Sequence, residues 1–214
     1  MRVIAIDGPA GSGKSTVAKA LAGRLGLDYL DTGAMYRSVT FAVLQRGIDP
    51  RDAPVVGELA DGVQIDLTAV EVWVDGIEAT AAIRGPEVSR TVSIVAANPL
   101  VRTAMVRRQR AWVAERDGGV LEGRDIGTVV FPDAELKVYL TADPAVRAQR
   151  RAQEVSDLDY ETVAADLARR DELDQGRAAS PLTEARDAFV IDTTGMTVAE
   201  IIDVIADRIG GGDG

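Results

Sequence analysis

Apolar positions along this chain follow two rhythms, one of strands and one of helices. Residues 2–7 (RVIAID) are a nearly continuous apolar, β-branched run, the pattern of a buried strand. A glycine-rich stretch follows. In TVAKALAGRLG, Val17, Leu21 and Leu25 then recur near the helical period, and Gly26 stands ready as a C-terminal cap. Residues 28–32 predict a short strand and turn. Residues 34–46 predict a helix ending at Gly47, with Asp49-Pro50 as a breaker. Across 63–80 the pattern alternates, and Asp75-Gly76 predicts a tight hairpin. Helix returns over 86–116, interrupted near Asn98-Pro99, with its second part at 100–116. Residues 119–123, 135–140 and 188–192 read as further strands. Residues 144–155 and 160–172 read as charged helices around the loop 156–159. The last helix, 197–209, has Thr197 and Glu200 at capping-box spacing, and the tail 211–214 is expected to fray.

Strands alternating with helices predict an α/β fold, a five-stranded parallel sheet with helices on both faces plus a small antiparallel insert. Ligands bind such sheets beyond the carboxyl ends of the strands. Asp7–Thr16, Asp31–Arg37 and Gly123–Asp125 all follow predicted strands and are expected on one rim.

Composition narrows the chemistry. The 214 residues suit one α/β domain, and 46% apolar content can fill its core. The chain has no Cys and no His, which excludes thiol nucleophiles, Ser-His-Asp triads, zinc fingers and disulfide scaffolds. A Mg²⁺ site built from oxygen ligands stays open. The net charge of -10 argues against a nucleic-acid partner. No apolar window is long enough for a membrane span, and the N-terminus lacks a signal-peptide pattern, so a cytoplasmic protein is expected. Nothing points to a large oligomer surface, and a monomer is the default. Of the 24 basic residues 21 are Arg, and the three Lys are Lys14, Lys19 and Lys137.

Lys14 belongs to the strongest motif. Gly8-Pro9-Ala10-Gly11-Ser12-Gly13-Lys14-Ser15 matches GxxxxGK[ST] between a predicted strand and a predicted helix, and Thr16 follows. The glycines let backbone amides curl toward phosphate oxygens, and the helix start favours negative charge. Lys14 would meet the β- and γ-phosphates of ATP, and the Ser15 hydroxyl could ligate Mg²⁺. Asp7 and Asp31 lie after strands near the loop, and either could orient waters on Mg²⁺. Arginines cluster at predicted loop boundaries elsewhere: Arg37, Arg124, Arg147, Arg150, Arg151, Arg169, Arg170 and Arg177. Moving a phosphoryl group between two nucleotides needs cations on both sides of the reaction line.

Several blocks in order resemble the bacterial cytidylate kinases, of the P-loop nucleoside monophosphate kinase family. They are IAIDGPAGSGKST at 4–16, YLDTGAMYR at 29–37, SIVAANPLVR at 93–102, RRQR at 107–110, EGRDIGTVVFPDA at 122–134 and the run from Arg170 to Leu182. The resemblance implies a single P-loop kinase domain over 1–214, with core segments 1–49, 91–146 and 178–214. It also implies a monophosphate-binding insert at 50–90 and a helical lid at 147–177. The implied reaction transfers the γ-phosphate of ATP to CMP or dCMP. Ser93, Arg102 and Asp125 are similar to the family's cytosine-reading residues. Arg37, Arg124 and Arg177 resemble the arginines that hold the acceptor phosphate, and Arg170 and Asp174 resemble the pair near the ribose. Thr32 resembles a hydroxyl facing the same nucleotide. Arg150 and Arg151 would reach the donor phosphates, while Arg147 could serve there or lie on the surface.

Chemistry agrees with that set. Cytosine offers an N4 amino donor to a carboxylate such as Asp125, and O2 and N3 acceptors to an arginine such as Arg102. Uracil would turn an acceptor toward Asp125. The rival readings are a P-loop kinase for another acceptor, such as UMP, AMP, gluconate or shikimate, and a nucleotide-switched ATPase or GTPase. The chain has no convincing NKxD guanine-reading motif.

Overall fold

The computed structural model describes residues 1–68, 70–154 and 159–210. Most of the loop 156–159 and the tail 211–214 fall outside the described residues. The chain divides into two compact units, Met1–Leu30 with Val113–Gly214, and Asp31–Trp112.

The first unit carries the parallel sheet. Its elements are β1 (Arg2–Asp7), α1 (Lys14–Leu25), β2 (Tyr29–Asp31, whose last residue opens the second unit), β6 (Gly118–Gly123), β7 (Leu136–Thr141), α6 (Pro144–Glu154), α7 (Tyr160–Gln175), β8 (Phe189–Asp192) and α8 (Val198–Gly210). The strand order is β2-β6-β1-β7-β8, and β1 runs parallel to β6 and β7. Asp7 stands level with Gly123 on one side and Tyr139 on the other. The chain therefore leaves β1, β6 and β7 at a common rim. Ile4, Ile6, Val120, Val138 and Leu140 of the sheet pack with Val17 and Leu21 of α1 and Ile201 and Ile205 of α8.

The caps explain where these helices begin and end. Gly26 ends α1 in the left-handed region that glycine enters without a Cβ penalty. Thr197 and Glu200 form the expected reciprocal box before α8: the Thr197 amide donates to Glu200 Oε2 at 2.7 Å, and the Glu200 amide to Thr197 Oγ1 at 3.3 Å. After β6 the chain makes a π-helical turn, Ile126–Val130, which the sequence pattern does not predict.

The second unit contains α2 (Thr32–Gln45), α3 (Ala53–Gly62), β3 (Ile65–Leu67), β4 (Val72–Val74), β5 (Ile77–Glu78), a 3₁₀ turn (Ala82–Arg84), α4 (Pro86–Ala97) and most of α5 (Pro99–Arg116). Strands β3, β4 and β5 form the antiparallel sheet. Asp75 and Gly76 turn the β4–β5 hairpin with φ of 50° and 77°, as a type I′ turn requires. The pattern reading misses α3. Its signal is local: Asp52 caps Val55, Pro54 sits in the first turn, and Val56, Leu59 and Ala60 recur on one buried face. Two neighbours in the RRQR block serve α3 as well. Arg107 pairs with the Asp61 carboxylate at 3.0 Å, and Arg108 donates to its carbonyl at 2.8 Å.

Candidate functional site

In the first unit the glycine loop is built to present amides. Gly8, Gly11 and Gly13 have φ of 147°, 75° and 88°. A Cβ on Gly8 would stand 2.1 Å from the Leu140 carbonyl oxygen, so the strand and loop could not keep this approach with any other residue. Helix α1 starts at Lys14, and no side chain caps it. Its first-turn amides are thus left to a ligand. Ser12 Oγ donates to the Pro9 carbonyl at 3.0 Å, and Lys14 Nζ donates to the same oxygen at 2.6 Å. Ala10 and Ser12 are buried, whereas Ser15 and Thr16 are exposed at the helix start. Burial, then the Arg124 guanidinium, hold the Lys14 ammonium well below the ordinary lysine range, while Glu122 pulls the other way. An arriving polyanion would offset both effects.

A second cationic cluster lies at the rim of the same unit. Arg124 Nε donates to Asp174 Oδ2 at 3.0 Å. Arg177 Nε donates to the Asp174 carbonyl at 3.3 Å. Burial pushes the Asp174 carboxyl up, but Arg124, Arg170 and Arg177 outweigh it and hold it below the ordinary range. The four residues that the sequence divides between phosphate and ribose thus stand together, three cations around one carboxylate. Asp125 follows Arg124 and is buried.

Asp7 fixes the backbone beside Asp125. Its Oδ1 accepts the Ile126 amide at 2.9 Å and its Oδ2 the Gly127 amide at 2.8 Å. Burial nevertheless pushes its pKa up to about 6, against 3.8 in the open chain. The folded protein therefore binds this proton more tightly than the unfolded chain does. The associated stability is full below about pH 4 and is lost as pH rises through about 6. A shift of that size corresponds to about 3 kcal/mol. Asp7→Asn, which does not titrate, should gain up to that amount relative to the parent between pH 4 and pH 7. Urea unfolding at the two pH values checks this; an unchanged difference would exclude the raised pKa.

The arginines of the expected lid segment divide. Arg147 turns inward rather than to the surface: it pairs with Asp171 and donates to the Ala10 carbonyl at 3.1 Å. Arg150 donates to Thr193 Oγ1 at 2.9 Å and to its carbonyl at 2.7 Å. Its Nη1 lies 3.9 Å from where a Cβ on Gly13 would stand, beside the loop. Arg151 is half-buried on α6.

The second unit holds the remaining candidates. Thr32 is buried at the start of α2. Arg37 donates to Asp31 Oδ2 at 2.8 Å, and Arg84 reaches the same oxygen at 3.2 Å. Asp31 also caps α2 through the Ala34 amide at 2.8 Å. Ser93 on α4 and Arg102 on α5 are buried. Arg102 Nη1 donates to the Ala96 carbonyl at 3.2 Å, and its guanidinium lies 5.3 Å from the Tyr36 ring centroid.

Asp7 and Asp31 are thus engaged with backbone amides and arginines. The carboxylate beside Ser15 is another one, Glu122, which accepts from Ser15 Oγ at 2.9 Å. It lies inside the EGRD block, yet its link to residue 15 depends on the β1–β6 pairing and has no local signal. Asp171 and Thr193, which meet Arg147 and Arg150 from elements distant in sequence, carry no local signal either. Among the described residues no cluster of three or more acidic side chains is placed to hold a metal.

The parallel sheet, the glycine loop at its rim and the uncapped helix behind it define a nucleotide-binding protein of the P-loop class. Solved structures agree on the fold. A shikimate kinase from Acinetobacter baumannii matches with a TM-score of 0.51 at 17% identity, covering 100% of this chain and 95% of its own. A gluconokinase from Sinorhizobium meliloti matches at 0.50 and 15%, covering 100% and 98%. At such identity these show the fold alone. Sequence relatives are much nearer. A cytidylate kinase from Corynebacterium glutamicum is 49% identical over 94% of this chain and 91% of its own length. One from Mycolicibacterium paratuberculosis is 49% identical over 97% and 94%. A bifunctional pantoate ligase/cytidylate kinase from Synechococcus sp. (strain WH7803) is 48% identical over 96% of this chain, which spans 44% of that relative's length. The cytidylate kinase family model matches residues 4–210, and the chain belongs to that family. Among the described residues no helix is long and apolar enough to cross a membrane.

Proposed function

We propose that this protein transfers the γ-phosphoryl group of ATP to CMP or dCMP, giving ADP and CDP or dCDP. The observation that carries the reading is the pairing of two cationic sites in one unit. Lys14 and the loop amides form the first, and Arg124, Arg170 and Arg177 around Asp174 form the second. Lys14 feels both Arg124 and Arg170, so the second site is near the first. A monophosphate kinase needs that arrangement, whereas an ATPase needs only the loop.

No protein nucleophile takes part. An oxygen of the acceptor monophosphate attacks the γ-phosphorus in line, and the bond to the bridging oxygen of ADP breaks. Lys14, Arg37, Arg124, Arg177, Arg150 and Arg151 orient the two phosphates and offset their mutual repulsion. Asp125 and Arg102, with Ser93, read the cytosine edge, and Thr32, Arg170 and Asp174 complete the acceptor contacts. Residues 50–90 serve as the monophosphate-binding insert and 147–177 as the lid, whose closure excludes water.

Mg²⁺ fits this chain. The Ser15 hydroxyl is a hard oxygen donor of the kind Mg²⁺ takes beside phosphate oxygens and water, and its hydrogen is already given to Glu122 at 2.9 Å. Ser15 would ligate the ion, which when bound would supply positive charge to offset that of the ATP phosphates. The same reading has the enzyme act as a cytoplasmic monomer on small molecules. The net charge of -10 supports the absence of a nucleic-acid partner.

Product formation from Mg·ATP with CMP, dCMP, UMP, AMP and shikimate in parallel is the direct test. CMP and dCMP should lead, with UMP and AMP at least about 100-fold lower in kcat/KM, as expected when a buried hydrogen-bonding site meets the wrong edge. Turnover with CMP no faster than hydrolysis by water would refute the assignment.

A further inference from the structure

Three side chains of the sheet-bearing unit form a relay that the phosphate contacts do not explain. Glu122, near the end of β6, is 4% exposed. A buried carboxylate must have its lone pairs satisfied. Here each oxygen accepts from a hydroxyl. Oε2 accepts from Ser15 Oγ at 2.9 Å, and Oε1 accepts from the phenol of Tyr29 on the neighbouring strand β2. The backbone sets this register, because the Val120 amide donates to the Asp28 carbonyl at 2.8 Å. Lys19 of α1 lies 5.4 Å from the Tyr29 ring centroid and steadies the ring's face.

The donor direction matters. A serine hydroxyl carries one hydrogen and two lone pairs. When the hydrogen points to a carboxylate, the lone pairs turn away from it and the oxygen becomes a better metal ligand. Glu122 imposes that direction on Ser15 only while its own plane is held. Without the tyrosine phenol the carboxylate plane is held less firmly and can release the serine hydrogen to a loop carbonyl.

We propose that Tyr29 is a positioning residue for Ser15: through Glu122 it turns the Ser15 oxygen into an acceptor aimed at the Mg²⁺ that accompanies ATP. This rests on the reading of Ser15 as a Mg²⁺ ligand. Tyr29 touches neither nucleotide in this scheme, and its effect is confined to the metal-dependent part of ATP binding.

Calorimetric titration of ATP into the protein, once with Mg²⁺ and once with EDTA, separates that part from the rest. Tyr29→Phe removes one oxygen and keeps the ring under Lys19. It should lose about tenfold of the Mg²⁺-dependent tightening, at the low end for residues that orient metal ligands. ATP binding in EDTA and CMP binding should stay within about twofold, the scale of a substitution that removes no contact to the ligand. The double variant Tyr29→Phe, Glu122→Gln should lose no more than Glu122→Gln alone, since both act on one link. A Tyr29→Phe protein with the parent's full Mg²⁺ tightening overturns the proposal. So does an equal loss with EDTA, which would place the tyrosine in loop folding. Ser15→Ala distinguishes the two layers. If it too keeps the Mg²⁺ tightening, the Ser15 reading has failed. If it loses the tightening while Tyr29→Phe keeps it, only the Tyr29 link has failed.

Discussion

Asp125→Ala is expected to lower kcat/KM for CMP by about 10²–10³-fold while leaving the KM for ATP within about twofold. The loss combines a hydrogen bond to a charged group with the cost of leaving the cytosine amino group unpaired, together about 3–4 kcal/mol. The substitution should spare the fold. Asp7 holds the amides of Ile126 and Gly127, and the Asp125 carbonyl accepts from Val129 at 2.9 Å and from Val130 at 3.2 Å. The backbone around residue 125 is thus fixed by groups other than its own carboxylate. Discrimination should collapse from both sides, because uracil no longer turns its O4 toward a negative charge. Asp125→Asn should go further and favour UMP relative to the parent, since an amide can donate to that O4. Steady-state kinetics with CMP, UMP and ATP varied in turn would measure all three effects. A parallel rise in the KM for ATP would mean that Asp125 shapes the rim rather than reads a base.

The residues open to sequence reading are those whose partners lie close along the chain. The phosphate loop is legible because one contiguous run supplies the amides, the lysine and the hydroxyl. The hairpin at Asp75-Gly76 and the box at Thr197 and Glu200 are legible because each is closed by neighbours. Tertiary partners are not legible in this way. Asp7 looks like a free carboxylate beside the loop until the β1–β6 pairing brings Ile126 and Gly127 to it. Glu122 looks like part of a strand until Ser15 and Tyr29 reach it from two other elements. Arg147 could be a surface residue until α7 presents Asp171 to it.

Position along a strand, rather than residue type, sets the exposure of Trp73. It is 37% exposed, with its indole N–H on Glu71 at 3.2 Å. A three-residue strand in a small antiparallel sheet has one solvated face, and residue 73 falls on it while Val72 and Val74 are buried. Alternation along the strand decides the matter, not the apolar character of the side chain. The buried Ser93 and Arg102 illustrate the remaining gap. Their positions follow from resemblance to the family, whereas periodicity alone would have assigned an arginine on α5 to solvent.

Lys14→Arg is expected to be nearly as damaging as Lys14→Ala, each lowering kcat by about 10³-fold or more, the scale for loss of a cation that stabilises a transferring phosphoryl group. A chain with 21 Arg among 24 basic residues keeps lysine here, and the geometry supplies a reason. Lys14 Nζ sits 2.6 Å from the Pro9 carbonyl, inside the curl of the loop, and the residue is 6% exposed. An ammonium is compact and can swing from that carbonyl to a phosphate oxygen. A planar guanidinium needs more room, and the loop around it is fixed by Gly8 against Leu140 and by Gly11 against Arg147. It would either open the loop or leave it. The charge would survive while the binding geometry would not. Calorimetry should show ATP binding weakened in both variants, with CMP binding within about threefold of the parent, since removing or displacing one cation shifts a neighbouring phosphate site only modestly. This contrasts with Asp125→Ala, which spares ATP and loses CMP. If Lys14→Arg retained activity within about tenfold of the parent, positive charge alone would suffice at this position, and the catalytic weight would pass from the shape of the loop to its electrostatics.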